Sequence, residues 1–216
     1  MGIWSALRRF GQINSDVKRI FLGVVLALVS VACATYSRSG EQKGLLQVLA
    51  ELEPARTSTF KKGQVVGSQD ISASERSEIL TWIWPLRRVS ITSPVGKRGR
   101  RMHEGVDLRA RVGTPVYAVA DGKVVYASSG MRGYGSMIVL RHSGGLFSVY
   151  AHLSKRLYSK GMQVKQGAEI AKSGKSGRVT GPHLHFEVRR GTQVVDPVAL
   201  IPRSNTIQTL ASNAQP

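Results

Sequence analysis

Apolar and polar positions along the 216 residues follow three different rhythms. Ile20 to Ala34 (IFLGVVLALVSVACA) runs fifteen residues without a charge or a polar face, and uncharged residues continue to Ser37. Arg8, Arg9, Lys18 and Arg19 stand before it. Basic residues ahead of an apolar run keep the N-terminus in the cytoplasm and send the following chain across the membrane. The run is long for the apolar core of a signal peptide and short for a spanning helix. Three fates stay open: an uncleaved anchor, cleavage at Ala32-Cys33-Ala34, or a lipoprotein-like cut in Val29-Ser30-Val31-Ala32-Cys33, where Ser30 replaces the aliphatic residue such boxes carry. Residues 1–37 are therefore expected to be a signal peptide or membrane anchor. The rest of the chain, anchored or secreted, would lie in the cell envelope on the outer, periplasmic side of the cytoplasmic membrane.

The second rhythm is short. Leu45, Leu49 and Leu52 recur at helical spacing and Pro54 ends the pattern, which predicts one amphipathic helix packing on a domain or lying on the membrane surface. Ala55 to Ser77 is rich in Ser, Thr, Gly, Gln and Lys without sustained periodicity and reads as a tether. Residues 38–81 are thus expected to be a short helix and a flexible linker.

From there the chain breaks into short β-rich runs: VSITSPV, TPVYAVA, GKVVYASS, SMIVLRH, LFSVYAHL and HLHFEVRR. Asp121-Gly122 and Gly144-Gly145 stand between neighbouring runs and predict tight hairpins. Trp82 and Trp84 alternate in TWIWPL and are expected on one face of a first strand, as core or rim residues, with sugar stacking as the functional option. The fold class expected is mainly β: a compact antiparallel domain over residues 82–203, followed by a polar tail at 204–216.

Charge sharpens this division. Met1 to Trp84 carries 10 Lys/Arg against 7 Asp/Glu, whereas Pro85 to Arg203 carries 21 against 6, so most of the net +18 belongs to the β-rich part. Such a field attracts a polyanion: cell-wall polymer, anionic lipid or nucleic acid. The single cysteine, Cys33, excludes an internal disulfide framework and a Cys-based zinc knuckle.

Candidate chemistry lies in the histidines. Four of the five fall in three short stretches, His103-Glu104-Gly105-Val106-Asp107, Tyr150-Ala151-His152-Leu153 and Pro182-His183-Leu184-His185. On a strand His183 and His185 share a face, about 7 Å apart, while Leu184 and Phe186 point into a core. A catalytic zinc takes three protein ligands and keeps one position open. His103, Asp107 and one of His183 and His185 supply three, and the remaining imidazoles can serve a water and an oxyanion.

ITSPVGKR, HEGVDLRARVGTPVYAVADGKVVYAS, GYGSMIVLRHSGG, SVYAHLS, VKQGAEIAKSGKSGRVTGPHLHFEV and VDPVALIP follow one another as in the lysostaphin/LytM-type zinc endopeptidases, and the chain resembles that family over about Trp84 to Pro202. The resemblance implies a β-sheet fold with an open groove over one Zn2+ ion. It implies His103, Asp107 and His185 as metal ligands, and His152 and His183 as the catalytic pair that activates water and stabilises the transition state. It leaves His142 outside the site, as a surface histidine at a strand end. Glu104, neighbouring His103 in a presumed strand, is expected to face away. The segment Gly96 to Met102 is shorter than is common in the family and strongly basic, placing positive charge beside the cleft.

The function expected from the resemblance is that of a hydrolase: a zinc metalloprotease, specifically an endopeptidase cutting peptide cross-links or stem peptides of peptidoglycan. A non-catalytic relative that binds peptidoglycan and activates a separate cell-wall amidase is the alternative; such relatives lack zinc residues, and none is missing here. A nucleic-acid partner is not expected, since the chain has no recognition helix or aromatic RNA-binding signature.

Overall fold

A computed structural model of the chain describes residues 44–52, 65–66 and 70–207. The apolar run at Ile20–Ala34, Cys33 and the last residues of the tail lie outside the described residues. Among the described residues no helix is long and apolar enough to cross a membrane.

The elements begin with α1 (Leu45–Leu52), β1 (Val65–Val66) and α2 (Ala73–Leu80). Four short strands follow: β2 (Ile91–Ser93), β3 (Gly96–Arg98), β4 (Arg101–His103) and β5 (Val106–Arg109). Next come β6 (Pro115–Tyr117), β7 (Gly122–Met131), β8 (Gly135–Arg141) and β9 (Leu146–Ala151). β10 (Leu153–Arg156), β11 (Gln163–Val164), β12 (Glu169–Ser173), β13 (His183–Arg190), β14 (Gln193–Val195) and α3 (Pro197–Leu200) complete the order.

Nine strands form the main sheet, with β13 at its centre. β13 pairs antiparallel with β9 along one side, and with β5 and then β14 along the other. β6, β12 and β10 make a smaller sheet, and β3 with β4 a separate hairpin. Every pairing is antiparallel except that of β1 with β14, which accords with the mainly β reading.

The main sheet is buried on both faces. Ile138, Leu140, Leu146 and Tyr150 point to one core, while Met137, Val139, Phe147 and Val149, their neighbours along the same strands, point to the other. This two-sided burial explains why SMIVL and LFSVYA read as continuous apolar runs instead of alternating with polar residues. Leu45 and Leu49 of α1 cover the second face, so the predicted helix packs on the domain.

The folded unit extends further toward the N-terminus than the composition implies. Ser72 opens α2 as a capping box, its hydroxyl accepting from Glu75 N–H while the Glu75 carboxylate accepts from Ser72 N–H. Ile79 of α2 and Val66 of β1 enter the first core. The tether reading of Ala55 to Ser77 therefore fails at Val65–Val66 and from Ser72 onward, where Val66, Ile71 and Ile79 enter the core and Glu75, which closes the capping box, also meets Arg190.

Three other expectations change. Asp121-Gly122 does not close a hairpin: β6 pairs with β12 and β7 with β8, so the dipeptide marks a crossing between sheets. Gly144-Gly145 does close one, between β8 and β9, with both glycines at positive φ. Trp82 and Trp84 lie on no strand, and both are fully buried in the first core, which removes sugar stacking.

His142 is also not a surface residue. The Trp82 ring closes over it at 4.5 Å, its Nδ1 donates to the Asp121 carbonyl (2.7 Å), and its Nε2 meets the Ser148 hydroxyl (2.7 Å). Burial pushes its pKa down to about 4. The unfolded chain, with His142 near 6.5, takes up this proton first on acidification, so stability falls as pH drops from about 6.5 toward 4. Chemical denaturation across that window is expected to show a loss approaching roughly 3 kcal/mol from this group. His142→Gln should flatten that slope relative to the parent chain, and equal slopes would remove His142 as the cause.

Candidate metal centre and groove

The site assembles where β5 and β13 pair. The register sets His185 opposite Asp107 and His183 opposite Arg109, and on the other side of β13 sets His185 opposite Ala151, the residue before His152. His103 ends β4 and turns back over this point. Gly105 permits the turn, since a Cβ there would stand 2.5 Å from the Phe186 carbonyl oxygen and 2.9 Å from the His185 ring.

Asp107 Oδ1 lies 2.9 Å from His185 Nδ1 and 3.1 Å from His103 Nε2, and these two nitrogens are 3.2 Å apart. Ligand atoms at about 2.0–2.1 Å from a tetrahedral zinc lie roughly 3.3 Å from one another, so the trio needs little adjustment to hold one. The tautomers suit the same purpose. His103 Nδ1 donates to the Pro94 carbonyl (2.7 Å) and His185 Nε2 to Glu187 Oε1 (2.9 Å), which leaves the other nitrogen of each ring, the one facing Asp107, as the atom that can ligate a metal once deprotonated. Asp107 is held well below the usual carboxylate range: burial alone would raise it, but bonds from His103, His185 and Arg98 outweigh burial. Burial likewise favours neutral His185, yet Asp107 and Glu187 on its two nitrogens raise it to about 9. An incoming cation thus competes with a proton at Nδ1.

Behind the site runs a chain of buried charge. Glu187 Oε1 also accepts from the Tyr134 hydroxyl (2.8 Å), while Arg189 joins Glu187 Oε2 to Glu104 Oε2 (2.6 Å to the latter). Arg189 and Glu187 are fully buried. Burial would raise Glu187, but Arg189 and His185 hold it down at about 2, so it stays a carboxylate against His185. The expectation for Glu104 is corrected: β4 ends at His103, strand alternation stops there, and Glu104 lines the groove while anchoring Arg189.

His152 and His183 flank the trio, their rings 4.8 Å apart. His152 sits at φ +61°, the left-handed region a non-glycine residue adopts at a cost, held there by Nδ1 donating to the Ser176 carbonyl (2.9 Å). His183 Nδ1 lies 3.0 Å from the Gly181 carbonyl oxygen and its Nε2 is 3.5 Å from Asp107 Oδ1. Burial lowers His152 to about 4, so its ring is neutral at physiological pH. The structure thus gathers His103, Asp107, His152, His183 and His185 around one groove of about 430 Å3, whose walls include Tyr134 and Arg178.

Arg98, in the short basic hairpin, reaches into the same place. Its Nη2 donates to Asp107 Oδ2 (2.6 Å) and lies 3.2 Å from His103 Nε2, so guanidinium and metal cation contend for neighbouring ligand atoms. Glu187, Arg189, Tyr134 and this contact of Arg98 are absent from the sequence reading. The first two carried a signal, since His183, His185, Glu187 and Arg189 alternate as polar positions along one strand face of HLHFEVRR.

The family model of peptidase family M23 matches residues 101–197, spanning all five of these groove residues. Murein hydrolase activator NlpD of Escherichia coli is 31% identical over 183 residues, covering 82% of this chain and 48% of that protein. DD-carboxypeptidase/endopeptidase Mpg of Neisseria meningitidis is 41% identical over 124 residues, covering 55% of this chain and 28% of that protein. The chain thus spans half or less of the length of these curated relatives. A crystal structure of a zinc-containing peptidase from Vibrio cholerae superposes with a TM-score of 0.51 at 35% identity, over 54% of this chain and 39% of that one.

Glu187→Gln removes the charge behind His185 while keeping the shape of the side chain. Competition with a chromogenic chelator should show zinc affinity falling about 10- to 100-fold. Unchanged affinity would mean that strand register alone aims the imidazole.

Proposed function

The chain belongs to peptidase family M23, and from that premise we propose that it is a zinc-dependent endopeptidase that hydrolyses peptide cross-links or stem peptides of peptidoglycan in the cell envelope. The observation that carries this reading is the complete donor set, His103, Asp107 and His185, with its three ligand atoms within 4.8 Å of one another and two further imidazoles beside it. Zinc held by these residues supplies Lewis acidity, polarising a carbonyl and acidifying water. Everything else falls to side chains. With Nδ1 tied to Ser176, neutral His152 keeps the Nε2 lone pair for a proton taken from the attacking water. The imidazolium so formed can return that proton to the leaving amine, a role worth about 100- to 10,000-fold in rate. His183, its Nδ1 on the Gly181 carbonyl and its Nε2 3.5 Å from Asp107, is placed to share the proton transfer and, once it holds that proton, to donate to the developing oxyanion. Closure of the groove floor by Tyr134 and the buried Glu187–Arg189 pair keeps the ligand trio rigid during these transfers.

A second reading, a peptidoglycan-binding activator of a separate amidase, has one observation in its favour: the relative from Escherichia coli that matches the largest share of this chain among those described above is named for hydrolase activation. The intact donor set favours the first. An apolar, base-flanked N-terminal segment supports an envelope location, anchored or secreted, outside the cytoplasmic membrane.

Peptidoglycans of several wall types, incubated with the full chain and analysed by mass spectrometry, should release fragments with new free amino groups at one bond. Chelator should stop the release and zinc restore it. His185→Ala should lose both zinc and cleavage; His152→Ala should keep zinc and lose about 100- to 10,000-fold in turnover. Absence of cleavage on every wall type, with stimulation of a purified amidase, would establish the activator reading instead.

A further inference from the structure

Beside the groove lies a recess of about 630 Å3 that the metal site does not use. Its rim carries Arg87, Arg88, Arg109 and Arg111, and its floor includes the Tyr117 side chain. Among the described residues none of these arginines meets a carboxylate. The six acids of residues 85–203 are all engaged elsewhere. Glu104 and Glu187 hold Arg189, Asp107 the ligand trio, Asp121 Lys165, Glu169 Lys172, and Asp196 caps α3. Tyr117 lines the recess as well, and its hydroxyl oxygen accepts from Arg87 Nε (2.9 Å).

Arg109 connects this recess to the reaction. It lies two residues beyond Asp107 on β5, hence on the same strand face and about 7 Å along it. It stands opposite His183 in register and lines both the recess and a second pocket of about 420 Å3, which Asp107 and His183 also line. A ligand lying across the metal site can therefore run past Arg109 into the recess without leaving the surface.

We propose that the recess rimmed by Arg87, Arg88, Arg109 and Arg111 is a carboxylate subsite for the peptide substrate. Resting on the peptidoglycan reading above, it makes this chain selective for stem peptides that keep a free carboxylate about two residues from the bond cut, since an extended peptide advances about 3.3–3.6 Å per residue. Planar guanidinium groups bind carboxylate bidentately, and amidation of that carboxylate removes both its charge and half of its acceptor capacity.

The test uses the full chain with chelator present, so that binding is read without cleavage. Two synthetic stem peptides are titrated, identical except that one carries the carboxylate free and the other as its amide. The free acid should bind about tenfold more tightly. In R88Q/R111Q, exposed positions whose replacement leaves the core untouched, that ratio should fall toward one, while the melting temperature stays that of the parent. Equal affinities for acid and amide in the parent chain overturn the proposal. So does an unchanged ratio in the variant. Equal peptide affinities together with inorganic phosphate binding that the variant loses would overturn it too, assigning the recess to a phosphate instead. Discrimination between acid and amide with no cleavage when zinc is restored would keep the subsite and sink the endopeptidase reading.

Discussion

The pairing of β13 with β5 on one side and β9 on the other is the constraint on which the site depends. Two ladders converge on His185: Asp107 stands opposite it in β5 and Ala151 opposite it in β9, with His152 one residue beyond Ala151. The register is held by Leu184, Phe186 and Val188, which alternate with the polar positions and are fully buried. A slip of one residue would turn His183, His185 and Glu187 into the core and the apolar residues into the groove. Core packing and ligand geometry are thus one requirement.

Burying Arg189 between Glu187 and Glu104 is expensive in isolation, since desolvating such groups costs several kcal/mol per ion before attraction returns any of it. An apolar cluster of equal volume would serve stability as well. The arrangement makes sense as support for His185, whose Nε2 proton Glu187 accepts, and Glu187 in turn is kept anionic by Arg189. The left-handed backbone at His152 has the same character: a local cost borne at the place where a neutral imidazole faces the groove.

Much of this was legible in the chain. The H-x-H alternation and the helical leucines of α1 express periods that backbone geometry converts directly into position, whereas the roles expected of His103, Asp107 and His152 came from the family resemblance. Other features depend on partners remote in sequence. His142 has the composition of a strand end, and only the closure of Trp82 over it makes it a core residue. Asp121-Gly122 has hairpin chemistry, but turn chemistry is indifferent to whether the next strand joins the same sheet. The Ser72-x-x-Glu75 box went unread as a helix start, because it lies in a polar stretch whose composition matches that of a tether.

The double-sided burial of the main sheet bears on where this protein can be cut. Residues 101–197 contain every groove residue, yet a fragment with those limits would lack α1, whose Leu45 and Leu49 cover Met137, Val139, Phe147 and Val149, and would lack Trp82 and Trp84 from the opposite core. Both faces of the sheet would then present broad greasy surfaces to solvent, the condition under which chains stick to one another before they are functional. Soluble material for crystallography or for antibody selection is better sought by starting upstream of Leu45, so that the domain brings its own covers.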